Sequence, residues 1–153
     1  MSTSPIREMA DELPDAVESI DRSADGRQTV SLASRDRLGD ALEFLLEAEI
    51  SHLVTITGVD AGEEIDILYH LRPRAKTVEN DGTRTVTLQV SLPKDDPRLR
   101  TVTDRIPGAS MYERELIDML GIEVVDHPNP ERLLLPDDWE GGSPLRVDEE
   151  GGD

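Results

Sequence analysis

The sequence predicts an α+β domain with a single mixed, mostly antiparallel sheet of about five strands, helices on one face and an extended C-terminal tail. Three observations lead to this fold class. Apolar residues recur at helical spacing in three segments, apolar and β-branched residues cluster or alternate in five others, and turn residues join neighbouring strands into hairpins. Because the strands follow one another through hairpins, most neighbours in the sheet are expected to be antiparallel.

The N-terminal third predicts a helix, a hairpin and a second helix. Ser4 can cap a short helix that begins at Pro5 and ends before Pro14. Residues 17–21 and 28–32 predict two strands, joined by the turn residues 23–26. A helix capped by Ser34 follows. Its apolar stripe is Leu38, Ala41, Leu42, Leu45 and Ala48.

The middle of the chain predicts three strands. Residues 53–59 are apolar and β-branched, and a turn at 60–62 leads into a second strand at 65–71. Residues 83–92 alternate between apolar and polar side chains, which is typical of a strand with one face in the core and one polar face. The charged segment 72–82 is predicted to be a loop.

The third helix is predicted from Ser110 onwards. Ser110 and Glu113 fit a capping box. In this motif the Ser110 hydroxyl accepts the backbone N–H of Glu113, and the Glu113 carboxylate accepts the backbone N–H of Ser110. Gly121 is predicted to end the helix. Tyr112 joins an apolar stripe, and Arg114 can pair with a carboxylate four residues later. After the helix the chain is expected to be extended over residues 122–125, to turn at His127-Pro128 and to continue as a tail.

Composition excludes several classes of function. The chain has 34 Asp and Glu against 16 Lys and Arg, a formal net charge of -18, so it repels nucleic acids and anionic membranes. The acidic residues are spread along the chain and there are only two Lys, which favours a cytosol at high salt. With no Cys, an iron–sulfur cluster cannot be held by thiolates of this chain. No signal peptide or membrane span is predicted, so a cytoplasmic location is expected.

The ionisable residues near the C-terminus give no catalytic pattern. His127 lacks the spacing of a metal site with the other two His, so a structural role is favoured. Glu113, Glu115 and Asp118 lie on a helix, where ion pairs are more common than catalytic acids. No phosphate- or dinucleotide-binding motif is present. The types of residue that anchor interfaces do occur here, in particular Trp139 and the arginines of the tail.

Several motifs in a fixed order resemble one known family. They are YERELIDMLGI, then HP, RLLLPDDW and PLR, and upstream HLVTITGVDAGEEIDILYHL. This pattern, over roughly residues 40–147, resembles the C subunit of proton-translocating NADH:quinone oxidoreductase, the respiratory complex I family. The chain departs from the family pattern where Met111 replaces an aromatic residue, Leu120 a Phe, Asp126 a Gly, Glu131 an Arg and Val147 a Lys.

The resemblance implies an accessory protein without catalysis of its own. Such a protein lies in the hydrophilic arm beside the family's D subunit, which is large and hydrogenase-like, and beside neighbouring arm subunits. It would bind no metal or cofactor itself, while NADH, FMN, iron–sulfur clusters and quinone would belong to the parent complex. It would be peripheral on the inner face of the cell membrane, held there only through the complex. The residues expected to contact a partner or to anchor the tail are Tyr112, Arg114, Glu115, Asp118, His127, Arg132, Leu133, Leu134, Leu135, Trp139, Leu145 and Arg146.

Residues 1–147 are expected to form one domain, with the signature helix and tail at 110–147 and an acidic disordered end at 148–153. Two alternatives remain open at this point. The parent complex could be a related dehydrogenase driven by deazaflavin or ferredoxin, or a membrane-bound hydrogenase. The chain could instead be a free-standing acidic hydrolase that uses Glu113, Glu115 and His127.

Overall fold

A computed structural model of the chain describes residues 5–24, 26–74 and 85–128. Within these residues the helices are α1 (Pro5–Glu12), α2 (Leu38–Glu47) and α3 (Ser110–Leu120). The strands are β1 (Val17–Arg22), β2 (Gln28–Leu32), β3 (His52–Asp60), β4 (Glu64–Arg72), β5 (Val86–Pro93), β6 (Arg98–Arg100) and β7 (Glu123–Val125). None of the helices in the described part of the chain is long and apolar enough to cross a membrane.

The described strands form a five-stranded sheet of order β1-β2-β5-β4-β3 and a two-stranded sheet of β6 and β7. Strands β1 and β2 are antiparallel, whereas β2 runs parallel to β5. The predicted α+β class with a mixed five-stranded sheet is therefore confirmed. The small second sheet was not predicted, and the predicted extended tail lies outside the described residues.

The chain divides into two compact units. The first consists of Met1–Thr55 and Leu68–Val90, and the second of Ile56–Ile67 and Ser91–Asp153. Strands β3 and β4 contribute residues to both. The first unit contains α1, α2 and the β1–β2 hairpin, and the second contains α3 and the β6–β7 pair.

Turn residues close the β1–β2 hairpin in the way that the sequence predicts. The N–H of Ser23 donates to the carbonyl of Arg27 at 2.9 Å, and the N–H of Gly26 donates to the carbonyl of Ser23 at 3.0 Å. Val30 of β2 is buried and pairs with Ile20 of β1 and with Leu88 of β5. The hairpin is therefore attached to the interior of the sheet through β2.

Helix α2 follows the predicted stripe over most of its length. The Ser34 hydroxyl accepts the N–H of Asp36 at 3.2 Å, so it caps a short 3-10 helix that leads into α2. The first four residues of the predicted stripe are buried, but Ala48 is exposed. The prediction for Ala48 was wrong because the helix ends there: the N–H of Ile50 donates to the carbonyl of Leu45 at 2.9 Å, and Ile50 takes the next buried position.

The alternation of side chains in β4 and β5 gives the large sheet one apolar and one polar face. In β4 the fully buried residues Ile65, Ile67, Tyr69 and Leu71 alternate with half-buried ones. In β5 the apolar residues are buried as predicted, and the alternating face carries hydroxyl and amide side chains. On this polar face Nδ1 of His70 lies 2.9 Å from the Thr87 hydroxyl, which links β4 to β5.

Candidate functional site

Helix α3 carries most of the YERELIDMLGI motif. It begins at Ser110, directly after a 3-10 helix Pro107–Ala109, and ends at Leu120. Gly121 has φ 68° and ψ 27°, a left-handed conformation that a glycine adopts without steric cost, and its N–H donates to the carbonyl of Ile117 at 3.2 Å. The predicted end of the helix at Gly121 is confirmed.

The capping box predicted at Ser110 and Glu113 is wrong. Ala109 occupies the N-cap position, and no side chain caps the helix there. The preceding 3-10 helix removes the need for a cap, because the N–H of Ala109 donates to Ile106 and the N–H of Ser110 donates to Pro107. Glu113 is consequently available for other bonds, and it turns into the interior.

Glu113 holds the segment that follows β6. Its side chain is 1% exposed. The Thr101 hydroxyl donates to Oε1 at 2.6 Å, and the backbone N–H of Val102 donates to Oε2 at 2.8 Å. The Thr101 oxygen in turn accepts the N–H of Thr103 at 3.1 Å. Both carboxyl oxygens are therefore bonded within the chain, as a buried carboxylate requires.

His127 joins the end of β7 to the start of α3. Its side chain is 0% exposed, and Nε2 lies 3.2 Å from the carbonyl oxygen of Ser110 and 3.8 Å from Oε1 of Glu113. A carbonyl and a carboxylate are both acceptors, so the ring proton belongs on Nε2. We refer to Glu113, His127, Thr101, Val102 and Ser110 as the Glu113 cluster.

The electrostatics of the cluster are dominated by burial. Removal from water raises the pKa of Glu113 above its ordinary value, and the nearby Asp104 acts in the same direction. The bonds from Thr101 and Val102 and the proximity of His127 oppose this effect. Burial thus has the larger effect on the pKa of this carboxyl group.

The geometry of the cluster differs from that of a Ser–His–acid triad. In such a triad the acid bonds one imidazole nitrogen and the serine hydroxyl the other. Here Oγ of Ser110, at 3.5 Å, and Oε1 of Glu113, at 3.8 Å, approach the same atom, Nε2 of His127. The third residue of the proposed hydrolase, Glu115, is exposed, unlike the other two. The arrangement joins chain segments and does not activate a nucleophile.

The remaining predicted residues on α3 differ in burial. Asp118 is 3% exposed, Tyr112 and Arg114 are half-buried, and Glu115 is exposed. Asp118 and His127 therefore lie within the chain's own structure, whereas Glu115 lies at the surface. The Arg114–Asp118 pair stays a prediction. Arg132, Leu133, Leu134, Leu135, Trp139, Leu145 and Arg146 lie outside the described residues.

Two further features were not predicted from the sequence. Strand β6 pairs in parallel with β7, with Leu99 opposite Val124. Asp126, which follows β7, has φ 64°, a left-handed conformation that disfavours most side chains. Its carboxylate accepts a bond from Nη1 of Arg100 at 2.6 Å. A glycine would adopt the same conformation without steric cost.

Helix α3 packs closely on β3 at Gly58. A Cβ atom built on Gly58 would clash with Cδ1 of Leu120 and would lie 3.0 Å from Cδ2 of Leu116 and 3.5 Å from Cδ1 of Ile67. All three side chains are buried. The absence of a side chain at position 58 is therefore what allows the helix to approach the strand.

No group of three or more His, Asp and Glu in the described ranges is arranged to hold a metal ion. In the described part of the chain, the polar groups of the Glu113 cluster form hydrogen bonds with one another around the start of α3. The chemical role that this geometry supports is to hold together the segment after β6, the start of α3 and the end of β7.

Comparisons with known proteins agree with the motifs. Residues 32–153 match the family described as respiratory-chain NADH dehydrogenase, 30 Kd subunit. The C subunit of NADH-quinone oxidoreductase from Roseiflexus sp. (strain RS-1) is 36% identical over 143 residues, 89% of this chain and 76% of the relative. The C subunit of F(420)H(2) dehydrogenase from Methanosarcina mazei is 32% identical over 120 residues, 76% of this chain and 72% of the relative.

Two other similar proteins are a joined C/D subunit and a chain of a solved membrane complex. The C/D subunit of NADH-quinone oxidoreductase from Methylococcus capsulatus is 32% identical over 139 residues, which cover 82% of this chain and 22% of that protein. A chain in the solved structure of the membrane-bound sulfane sulfur reductase, an archaeal respiratory membrane complex, is similar with a TM-score of 0.78 and 25% identity, over 94% of this chain and 82% of that chain. The family model covers well over half of the sequence. The chain therefore belongs to the family of the 30 Kd subunit of respiratory-chain NADH dehydrogenase.

Proposed function

We propose that this chain is a non-catalytic structural subunit of the hydrophilic arm of a complex I-type, proton-translocating NADH:quinone oxidoreductase. The observation that carries the proposal is the Glu113 cluster, in which the Glu113 carboxylate of the signature helix is buried and its bonds join chain segments. The relatives' names support it, since they describe subunits of oxidoreductase complexes. In this role the chain binds no cofactor, and NADH, FMN, iron–sulfur clusters and quinone belong to the other subunits.

The proposed neighbour is the large, hydrogenase-like D subunit. A relative whose name joins the C and D subunits in one protein supports this choice, because subunits that are fused in one organism are often neighbours in another. Through this neighbour the chain would be peripheral on the inner face of the cell membrane.

Most of the residues proposed to reach this neighbour come after Pro128. Trp139 and Leu133–Leu135 would supply apolar anchors, while Arg132 and Arg146 would pair with carboxylates of the partner. Tyr112, Arg114 and Glu115 on α3, which are half-buried or exposed, would lie at the edge of the same interface.

Purification of the tagged chain from native membranes tests the proposal. Co-elution with a hydrogenase-like large subunit is expected, and a chain that elutes alone as a monomer would contradict a structural role. Trp139→Ala with Arg146→Ala should release the chain from the complex on a native gel. Val59→Ala with Arg72→Ala is the matched control, because it removes one exposed apolar and one exposed Arg side chain elsewhere. If both double variants leave the complex intact, the tail does not form the interface.

Two versions of the proposal differ in the electron donor of the parent complex. The donor is NADH in the first version, and deazaflavin, ferredoxin or the substrate of a membrane-bound hydrogenase in the second. The similarity to a protein of an F(420)H(2) dehydrogenase and to a chain of a sulfane sulfur reductase complex supports the alternative that the parent complex is not NADH-driven. Mass spectrometry of the co-purified subunits distinguishes the versions, because NADH oxidation requires its own flavin-binding subunit. A parent complex that oxidises NADH would favour the first version.

The diffuse negative charge is proposed to be an adaptation to high salt in the cytosol. A formal net charge of -18 on 153 residues causes self-repulsion. Since the Debye length falls to about 3 Å at 1 M salt, concentrated salt would screen this repulsion.

A further inference from the structure

The first compact unit contains a concavity that the structural role proposed above does not explain. It has a volume of about 590 Å³ and lies on the polar face of the sheet. The β1–β2 hairpin contributes Arg22 and Arg27 at one side, the floor includes Thr87 and His70, and β3 contributes Thr55. We call this feature the hairpin cavity. All of its lining residues belong to the first unit.

The hairpin cavity has the opposite sign of charge to the rest of the chain. The lining residues that the structure describes include two arginines and one acidic residue, Asp21, which together carry a formal charge of +1 from +2 and -1. The whole chain carries -18. His70 adds no charge at neutral pH, because burial lowers its pKa and its Nδ1 lies 2.9 Å from the Thr87 hydroxyl. A cationic lining in such an acidic chain favours an acidic group as the occupant.

The floor of the hairpin cavity carries hydroxyl groups beside two apolar side chains, Val54 and Leu68, and has no charged group among its described residues. Thr29 of β2 lies directly beside Thr87 of β5, and Thr55 and Thr85 complete the row. Hydroxyl groups both donate and accept hydrogen bonds, so they can bond the peptide groups of a docked segment. Depletion of charge at the centre with arginine at the edge is the composition expected of a protein interface.

The same lining is poorly suited to a cofactor. Cofactor pockets are mostly apolar and aromatic and enclose most of their ligand. Among the described residues that line the hairpin cavity, the imidazole of His70 is the one aromatic side chain. A polypeptide segment is therefore the occupant that the lining favours over a small molecule.

We infer that the hairpin cavity is a docking site for an acidic, extended segment of a partner subunit, whose carboxylate pairs with Arg22 and Arg27 while its backbone bonds the threonine floor. The inference rests on the proposed structural role, because it requires the chain to be part of a complex. It adds a second contact, formed by described residues of the first unit, to the one proposed for the tail.

Site-specific cross-linking in the purified complex tests the inference. The chain contains no Cys, so Ser23→Cys introduces a single thiol at the exposed edge of the cavity. A short benzophenone maleimide on this thiol should cross-link, on irradiation, to a partner peptide that contains Asp or Glu. Arg22→Glu with Arg27→Glu should reduce the yield about tenfold or more, because like charges then face each other.

The matched control is Arg7→Glu with Arg72→Glu, which makes the same change of charge at exposed positions outside the cavity. This variant should cross-link as the wild type does. Circular dichroism of each isolated chain checks that the variants fold. An equal loss of yield in both variants would indicate a general effect of charge and would overturn the inference.

The outcomes separate the inference from the proposed function. If the wild-type chain co-purifies with no other subunit, the structural role itself fails. If it co-purifies but the label at position 23 reaches no partner, or the reversal at Arg22 and Arg27 changes nothing, only the docking site fails. A cross-link to a second copy of this chain, or protection of the thiol by inorganic phosphate in place of a partner, also overturns it.

Discussion

Adding a single methyl group at Gly58 tests the packing of α3 on β3. In Gly58→Ala the new Cβ would clash with Leu120 and would lie 3.0 Å from Leu116, and both side chains are buried. Excess volume in a packed core costs typically about 1–3 kcal/mol. A strand glycine is otherwise destabilising by roughly 0.5–1 kcal/mol relative to alanine, so without the clash the substitution would stabilise the protein. A decrease in the free energy of unfolding would therefore be caused by the contact with Leu116 and Leu120, and not by the intrinsic effect of replacing glycine with alanine.

Urea unfolding of the full chain, followed by circular dichroism, measures the change. Gly58→Ala should lower the free energy of unfolding by about 1–3 kcal/mol. Gly108→Ala is the control, because a Cβ at Gly108 would have no atom within 4 Å. The control should be neutral or slightly stabilising. A neutral or stabilising Gly58→Ala would refute the close approach of helix and strand.

A double-mutant cycle with Leu120→Ala identifies the partner in the clash. Leu120→Ala alone should cost about 2–5 kcal/mol, because it leaves a cavity in the core. In the double variant the methyl group at position 58 enters the space that Leu120 vacates. The cost of the double variant should therefore be smaller than the sum of the single costs by about 1 kcal/mol or more. Simple additivity would mean that Leu120 does not limit the space at Gly58.

Three further predictions concern charge and backbone conformation. Asp126→Gly should keep or raise the free energy of unfolding, because relief of the left-handed backbone strain offsets the loss of an exposed ion pair with Arg100 that contributes only about 0–1 kcal/mol. Asp126→Val should lower the free energy of unfolding, because a β-branched side chain disfavours this conformation. A valine variant as stable as the wild type would contradict the left-handed conformation. The folded protein binds a proton at Glu113 more tightly than the unfolded chain does, so the stability from this proton is present at low pH and is lost as the pH rises through the raised pKa of Glu113. Between about pH 4 and 8 the free energy of unfolding of Glu113→Gln should therefore decline less steeply with pH than that of the wild type. A steeper decline would contradict the raised pKa. Raising KCl from about 0.1 to 1 M should increase the midpoint of thermal unfolding through screening, and a decrease would argue against an adaptation to high salt.

Much of the large sheet could be predicted because its signals are local. The alternation in β5 and the residues of the β1–β2 turn each report on a few consecutive positions, and the structure confirms both. The parallel pairing of β2 with β5 joins Gln28 to Val86 across a long stretch of sequence. No local pattern encodes such a pairing, because it depends on which strand edges remain available after the hairpins have formed.

The errors near α3 have a common physical cause. A Ser followed three residues later by a Glu looks the same whether the carboxylate caps its own helix or bonds a distant backbone. The 3-10 helix at Pro107–Ala109 accepts the first N–H of α3, that of Ser110, and only the fold reveals that Val102 offers a donor to Glu113 instead. Strand β6 has three residues, too few to show any period.

The position of the Glu113 cluster explains why the charges of the signature helix do not indicate an active site. Glu113 and His127 fix three separate segments at one buried point, and Pro128 follows His127 directly in the sequence. The desolvation of a carboxylate is costly, so its bonds must all be made for the fold to be stable. A catalytic acid needs a side chain that can reach a substrate, whereas a group that joins three chain segments needs one that is held in place. Glu113→Ala should therefore cost about 2 kcal/mol or more and weaken the protection of the Val102 amide from hydrogen exchange. Unchanged protection in that variant would mean that the segment after β6 is held by other contacts.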